Sequence, residues 1–176
     1  MNPSSAKMSV MVGTHSACVR ITGRANFTSS IDLKTLVNEL RQRGYDYFVL
    51  DLSECALMDS TFLGVLAGFG LKMNGAQNGA SERGIELFNP SNRILDLLEN
   101  LGVLHLFKVK QGGDTLPAQS EAVPLTPCSP SKEEVKRTCL EAHQTLMEIH
   151  PENVSRFKDV AQFLAEDLKK LKLSTP

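Results

Sequence analysis

Residues 47–66, with the sequence YFVLDLSECALMDSTFLGVL, contain an apolar strand pattern followed by a helix pattern. The first seven residues form a nearly unbroken apolar run with aromatic and β-branched members. Such a run is typical of a strand that is buried on both faces of a sheet. The other predicted elements are arranged around this strand and the helix that follows it.

The helix is predicted to begin at Ser60. Asp59 is a favourable N-cap, and Met58 before it can pack on Leu63 as a hydrophobic staple. As the first helical residue, Ser60 is expected to point its hydroxyl into water. The amides and dipole of a helix N-terminus stabilise an anion by about 0.3–1 kcal/mol at an exposed position, so a phosphate on Ser60 would not melt the helix. The alternative is a serine selected only for capping chemistry.

Strands and helices alternate through the first 110 residues. The apolar periodicity predicts a β-hairpin from strands 8–12 and 17–21, followed by a helix 27–43 that is capped by Ser29 or Ser30 and ended by Gly44. The strand and helix of residues 47–73 come next, and a mobile loop is predicted at 74–84. A strand 84–88, a helix 92–100 and a strand 105–109 complete the series. This order predicts an α/β sandwich in which a mixed sheet of four to five strands is covered by helices, with the later strands parallel.

The composition changes after residue 110. Residues 111–131 contain four prolines among Ser, Thr and Gly and cannot bury enough apolar surface to offset the entropy of ordering, so they are predicted to be a flexible linker. Two apolar stripes with helical spacing follow, and Pro151 between them suits a helix start. They predict a C-terminal two-helix hairpin over residues 132–173. Because two such helices alone are marginally stable, their apolar seams are expected to close on the domain of residues 1–110 or on another chain.

Several motifs between residues 8 and 110 occur in a characteristic order. They are VLDLS at 49–53, DST at 59–61, LGVL at 63–66, GIELFNP at 84–90, RILDLL at 93–98, LGV at 101–103 and LFKV at 106–109. In order and spacing they resemble the STAS domain, the fold of the bacterial anti-sigma factor antagonists.

The resemblance implies a regulatory switch in protein binding. Unphosphorylated protein would bind an anti-sigma factor with serine kinase activity and so release a sigma factor, and that kinase would use ATP to phosphorylate Ser60 and end the interaction. Thr61 is the alternative phosphorylation site, and Asp59, Phe62 and Asp51 complete the predicted partner-binding set. For Asp51 the alternative is that it holds the turn after its strand. Phe62 departs from the family pattern, since antagonists usually carry a small residue or glycine there.

Other functional classes lack support in the sequence. Lys plus Arg (19) balances Asp plus Glu (20), which argues against nucleic-acid binding. Neither a membrane span nor a secretory signal is apparent, and the four separated cysteines are predicted to be free thiols of a cytoplasmic protein. We expect no cofactor or metal, and the four histidines are interpreted as surface or boundary residues. Without a catalytic motif or a recognisable base for Ser60, the chain is predicted not to be an enzyme.

A second hypothesis is a STAS scaffold or transporter-associated regulatory subunit that never cycles through phosphorylation. In that case the C-terminal helices would supply assembly, and a homo-oligomer could form through residues 132–173. The size of Phe62 and the additional helices motivate this alternative. The glycines of residues 64–70 lie inside a helix pattern, so they are interpreted as allowing close packing on a neighbouring element and not as a nucleotide-binding loop.

Overall fold

The computed structural model describes residues 6–74, 84–112 and 122–174, and it has a mixed sheet with five α-helices in those ranges. The strands are β1 Lys7–Val12, β2 Ser16–Ala25, β3 Tyr47–Asp51, β4 Cys55–Met58, β5 Gly84–Phe88, β6 Lys108–Lys110 and β7 Val123–Pro124. The helices are α1 Phe27–Gln42, α2 Ser60–Asn74, α3 Asn92–Asn100, α4 Lys132–Ile149 and α5 Glu152–Ser174. The predicted α/β class is confirmed.

The strand order is β6-β5-β3-β2-β1-β7, and β4 pairs with the C-terminal end of β2. β1 is antiparallel to β2 and β7, whereas the pairs β2–β3, β3–β5 and β5–β6 are parallel. The strand predicted at residues 47–53 lies between two parallel neighbours, as its apolar run indicates. Phe48 and Leu50 belong to the main core, while Val49 lies in a small apolar cluster with Cys18 and Phe88.

The helix ends follow local capping chemistry. The predicted Ser29 or Ser30 cap of α1 is wrong, because the Asn26 side chain accepts hydrogen bonds from the amides of Thr28 and Ser29 while the Ser29 hydroxyl accepts from the Asn26 amide. Gly44 follows α1 with a φ of +99°, which favours glycine. The side chain of Ser91 caps α3 at the amide of Ile94.

Three parts of the sheet differ from the predictions. β4 was not expected, and it forms because residues 55–58 pair with β2 before α2 begins. The last strand starts later than predicted, because Leu104–Leu106 form a 3-10 turn and only Lys108–Lys110 pair with β5. β7 lies inside the predicted linker. The predicted mobile loop falls, apart from its two end residues, outside the described residues.

The second half of the predicted linker contacts the sheet and α1. Val123 and Pro124 pair with β1, and the Leu125 amide donates to the Met8 carbonyl. Further along, the amide and thiol of Cys128 both donate to Asp32 Oδ1, at 2.9 and 2.8 Å. Residues 122–131 are therefore held by the first domain, while residues 113–121 lie outside the described part of the chain.

Helices α4 and α5 form the predicted hairpin, which we define as residues 132–174. Leu146 of α4 is completely buried and belongs to the main hydrophobic core, with Phe157 of α5 packed against that core. The seam thus closes on the first domain, which was one of the two expected arrangements. Full burial of one leucine side chain stabilises a fold by about 1.5–3 kcal/mol.

Candidate functional site

The candidate site is the start of α2, where Asp59, Ser60 and Thr61 follow β4; we refer to these three residues as the Ser60 site. Asp59 caps the helix as predicted, since its Oδ1 accepts from the Phe62 amide at 2.8 Å and its carbonyl accepts from the Leu63 amide. The Asp59 amide donates to the carbonyl of Ala25 at the end of β2. Backbone and cap together fix the helix start against the sheet.

The sequence suggested that the Ser60 hydroxyl points into water, but in the structure it faces α4. Its Oγ lies 2.9 Å from Nε2 of His143 on α4. The other ring nitrogen, Nδ1, lies 2.7 Å from the Cys139 carbonyl oxygen. Because a carbonyl oxygen only accepts, Nδ1 carries the hydrogen, and Nε2 of the neutral ring accepts the Ser60 hydroxyl hydrogen.

His143 is a buried neighbour of the Ser60 site. Its exposed fraction is 6%, and the Phe157 ring lies 5.0 Å from its own ring. Burial lowers the pKa of His143, although the hydrogen bond to the Cys139 carbonyl and the charge of Asp59 oppose the shift. The ring is therefore neutral at pH 7. The interpretation of His143 as a surface or boundary residue is wrong, because α4 turns this side chain toward α2.

Burial also affects Asp59. It raises the pKa of this carboxyl group, while hydrogen bonds from backbone amides, that of Phe62 first, lower it. The carboxylate lies at the positive end of a helix and near His143, so the start of α2 combines one acidic group with one neutral imidazole.

A sequence model of the STAS domain matches residues 9–115. The chain belongs to the STAS family. Two solved structures of the anti-sigma factor antagonist SpoIIAA are similar to it, both at 14% sequence identity. The unphosphorylated form has a TM-score of 0.48 over 61% of this chain and 89% of that chain, and the phosphorylated Bacillus form has 0.47 over 58% and 90%. No curated protein sequence matches the chain significantly.

Thr61 and Phe62 of the STAS domain have little or no exposed surface. The side chain of Thr61 donates to Cys139 Sγ at 3.5 Å and is 5% exposed. Phe62 is 0% exposed and belongs to the main core. The large ring that departs from the family pattern therefore fills the interior and offers no contact surface in this structure.

Asp51 of the STAS domain makes structural contacts. It is 4% exposed, and its Oδ1 accepts from the amide and the hydroxyl of Ser53 at 3.1 and 2.7 Å. Its Oδ2 lies 3.2 Å from Arg20 Nε. These contacts correspond to the alternative reading, in which Asp51 holds the turn after its strand.

The hairpin crosses the STAS helix α2 one turn after Ser60. A Cβ added at Gly64 would lie 2.5 Å from the Ala142 carbonyl oxygen, whereas at Gly68 it would meet only Thr145 Cγ2 at 3.9 Å. The interpretation of these glycines as close-packing positions is therefore confirmed at Gly64. The absence of a side chain there allows α4 to approach the backbone of α2 and brings His143 to Ser60.

A second set of contacts joins the hairpin to the end of α3. Asn153 is fully buried, and its Nδ2 donates to the carbonyls of Leu101 and Leu146 at 2.8 and 2.9 Å. At the same turn a Cβ on Gly102 would lie 2.6 Å from His150 Cγ. The hairpin is thus anchored both at the Ser60 site and at the C-terminal end of α3.

The structure places an imidazole nitrogen within hydrogen-bond distance of the Ser60 hydroxyl, which the sequence did not indicate. Two cavities of about 120 and 350 Å³ lie elsewhere, one between α1, α2 and α4 and one beneath residues 124–127, and neither is lined by Ser60 or His143. Within the described ranges, no cluster of three or more metal-ligating side chains occurs. None of the helices in those ranges is long and apolar enough to cross a membrane.

Proposed function

We propose that this STAS protein is an anti-sigma factor antagonist whose partner binding is switched by phosphorylation of Ser60. The proposal is carried by one observation: in a chain of this family, a serine occupies the first position of α2, directly after the Asp59 cap. The predicted cytoplasmic location belongs to this proposal. The chain acts here as a binding module, and the enzyme is its partner.

The partner is an anti-sigma factor with serine kinase activity. It transfers the γ-phosphoryl group of ATP to Ser60 Oγ, so that a new O–P bond forms, the bond to the leaving ADP breaks and a base of the kinase takes the hydroxyl proton. The product carries a charge of about −1.5 to −2 at pH 7. Against an acidic or apolar partner surface this charge would be poorly solvated, which opposes binding.

The proposed partner surface is centred on Asp59 and Ser60, and Thr61, which is 5% exposed beside Cys139, joins it only when α4 moves away. Phe62 and Asp51 were also predicted as partner contacts, but we leave them out of this surface. Their side chains are 0% and 4% exposed, so α2 or the β3 turn would have to move before they could touch another protein.

The test uses wild-type protein, Ser60→Ala and Ser60→Glu as bait in extract of the native host, with ATP present. We expect phosphate on Ser60 of the wild type by mass spectrometry, an anti-sigma factor retained by Ser60→Ala, and its loss with Ser60→Glu. Phosphate found only on Ser120, Ser129 or Ser131 would refute the site assignment.

The second candidate function is a non-cycling STAS scaffold or transporter-associated subunit that assembles through its C-terminal helices. It is favoured by the outward face of α5, where Phe163 and Val160 are 64% and 46% exposed. Light scattering of wild type, Phe163→Glu and the neighbouring control Gln162→Glu tests it. Assembly through α5 predicts a larger wild-type mass that only Phe163→Glu reduces to one chain, and a monomeric wild type rejects it.

A further inference from the structure

The hairpin covers the residue that the proposed switch has to modify. Ser60 is only partly exposed, and His143, which receives its hydroxyl hydrogen, is 6% exposed between α2 and Phe157. Thr61, the residue after Ser60, donates a hydrogen bond to Cys139, which lies on α4 as His143 does. A kinase has to reach Ser60 Oγ with the γ-phosphoryl group in line and a base at the hydroxyl proton. With α4 in place, the imidazole occupies that position.

A phosphate on Ser60 would not fit the docked arrangement either. The distance of 2.9 Å between Ser60 Oγ and His143 Nε2 leaves no room for a phosphorus atom with three oxygens. Phosphate oxygens accept hydrogen bonds, and so does Nε2 of the neutral ring. The Asp59 carboxylate next to Ser60 would add repulsion between like charges.

Two lysines, one on α1 facing the hairpin and one within the hairpin, have acidic partners of their own. Lys34 lies 3.4 Å from Glu141, and Lys136 lies 3.1 Å from Asp167. Neither of these two ion pairs includes Ser60 or His143. A phosphate held beneath α4 would lose its hydration, which is unfavourable without a compensating cation, and these two lysines already pair with carboxylates.

We propose that the α4–α5 hairpin is an internal competitor for the surface of the Ser60 site, so that hairpin docking and Ser60 phosphorylation exclude each other. The hairpin must leave α2 before the kinase reaches the hydroxyl, and it does not return while the phosphate remains. This regulation rests on the proposed function. In the unmodified protein without a partner, the surface is occupied by residues 132–174 of the same chain, which the anti-sigma factor has to displace.

The close crossing at Gly64 provides a variant that opens the hairpin without changing the Ser60 site. Gly64→Ala adds a methyl group that would meet the Ala142 backbone at 2.5 Å, so it should displace α4 while favouring the helical state of α2. Gly68→Ala is the matched control, because it makes the same chemical change one turn later, where Thr145 is 3.9 Å away.

The experiment measures the titration of His143 by NMR in full-length wild type, Gly64→Ala, Gly68→Ala and protein with phosphoserine incorporated at position 60. The resonance is assigned by its loss in His143→Gln. A docked hairpin keeps the pKa of His143 below 6.5, whereas a released hairpin returns it to about 6.5. Alkylation of Cys18 and Cys55, both buried in the STAS domain, verifies that the domain remains folded.

We expect a lowered pKa in wild type and Gly68→Ala, and a value near 6.5 in Gly64→Ala and phosphoserine-60 protein, with Cys18 and Cys55 unreactive in all four. A phosphoserine-60 protein whose His143 titrates as in wild type would overturn the proposal. So would a pKa well above 6.5, because it would place the phosphate on a docked His143. A wild-type pKa of His143 in Gly64→Ala would show that the hairpin does not detach from α2 as a unit, and it would also overturn the proposal.

Failure of the proposed antagonist function would give a different experimental result from failure of the internal competition. If the host kinase never modifies Ser60, the antagonist proposal falls, yet the exclusion between phosphate and hairpin can still be measured in the phosphoserine-60 protein. If the kinase does modify Ser60 while the hairpin stays docked, only the internal competition is refuted.

Discussion

The residues of the Ser60 site differ in how far the sequence specifies their surroundings. Asp59 was predicted as a cap because capping depends on residues within one turn, and that local chemistry is visible in a single segment. His143 lies 83 positions from Ser60, and nothing in the local pattern states which helix it will face. One signal existed, since position 143 lies on the same side of α4 as Cys139 and Leu146, at spacings of four and three residues.

The burial of His143 predicts a pH-dependent stability. Its pKa is lower in the folded state than the value of about 6.5 in the unfolded chain, so the unfolded state binds more protons as the pH falls. The contribution of the neutral ring is complete above about pH 6.5 and decreases from there toward the folded pKa. We expect the free energy of unfolding to fall between pH 7.5 and 5.5 by more in wild type than in His143→Gln.

Urea titrations at the two pH values measure this difference. The groups facing His143 are Asp59 and the Ser60 hydroxyl on α2, the Cys139 carbonyl on α4 and the Phe157 ring on α5. Asp59 is present in both proteins, so its own titration cancels to first order. Equal changes of stability in wild type and His143→Gln would contradict the assignment.

The Asp59 cap predicts a difference between two substitutions. Asp59→Ala removes the acceptor of the Phe62 amide and should lower the free energy of unfolding by about 1 kcal/mol. Asp59→Asn keeps an acceptor and removes a charge that burial disfavours, so we expect wild-type stability or slightly more. Chemical denaturation at pH 7 compares the three proteins, and an equally large loss in Asp59→Asn would mean that the negative charge is needed.

Individual elements were predicted where their own residues determine them. The five helices and the strands β1, β2, β3 and β5 have apolar periodicities that can be read locally. β4 and β7 are too short for a periodic pattern, and they exist because β2 and β1 offer partners. Residues 104–106, with the sequence Leu-His-Leu, alternate as a strand would, yet they close a 3-10 turn after α3.

The end of α3 provides a matched pair of glycine substitutions. Gly102 follows α3 as Gly44 follows α1, with φ values of +72° and +99°, and an alanine at either position costs about 1–3 kcal/mol of backbone strain. Only at Gly102 would an added Cβ also meet the hairpin, at 2.6 Å from His150 Cγ. We expect Gly102→Ala to lower the free energy of unfolding by at least about 1 kcal/mol more than Gly44→Ala.

Thermal and urea denaturation of the two variants measure this difference, and His150→Ala supplies the control. Removing the imidazole should reduce the cost of Gly102→Ala toward that of Gly44→Ala, with a remainder from the Cβ of residue 150, which would still lie 2.9 Å from the added methyl group. If the cost of Gly102→Ala is unchanged by His150→Ala, the contact between the hairpin and α3 is not what distinguishes the two glycines.

For the whole molecule, the sequence left open what the hairpin packs against. An apolar seam requires a partner but does not specify it, so the first domain and another chain were both expected. The answer depends on Gly64, whose missing side chain permits the crossing, and on Leu146, which joins the main core. Because the core is shared, we expect one cooperative unfolding transition of the full chain, although the sequence suggests separate units.

The two tyrosines allow that expectation to be measured. Both lie in or just before β3, at positions 45 and 47, and the chain has no tryptophan, so tyrosine fluorescence follows the STAS domain while far-UV circular dichroism follows all helices. The two urea curves should coincide in wild type. In Gly64→Ala we expect the loss of helical signal to precede the fluorescence change, whereas separate curves in wild type would indicate an independently folding hairpin.

The outer strands of the described sheet restrict how chains could associate. β7 includes Pro124, which has no amide hydrogen to donate, and β6 consists of Lys108, Val109 and Lys110, all exposed. Proline and lysine on border strands disfavour the addition of a further strand from another molecule. Growth of this sheet into fibrils or strand-swapped pairs is therefore opposed at β6 and β7, which favours helical surfaces of the described residues for self-association.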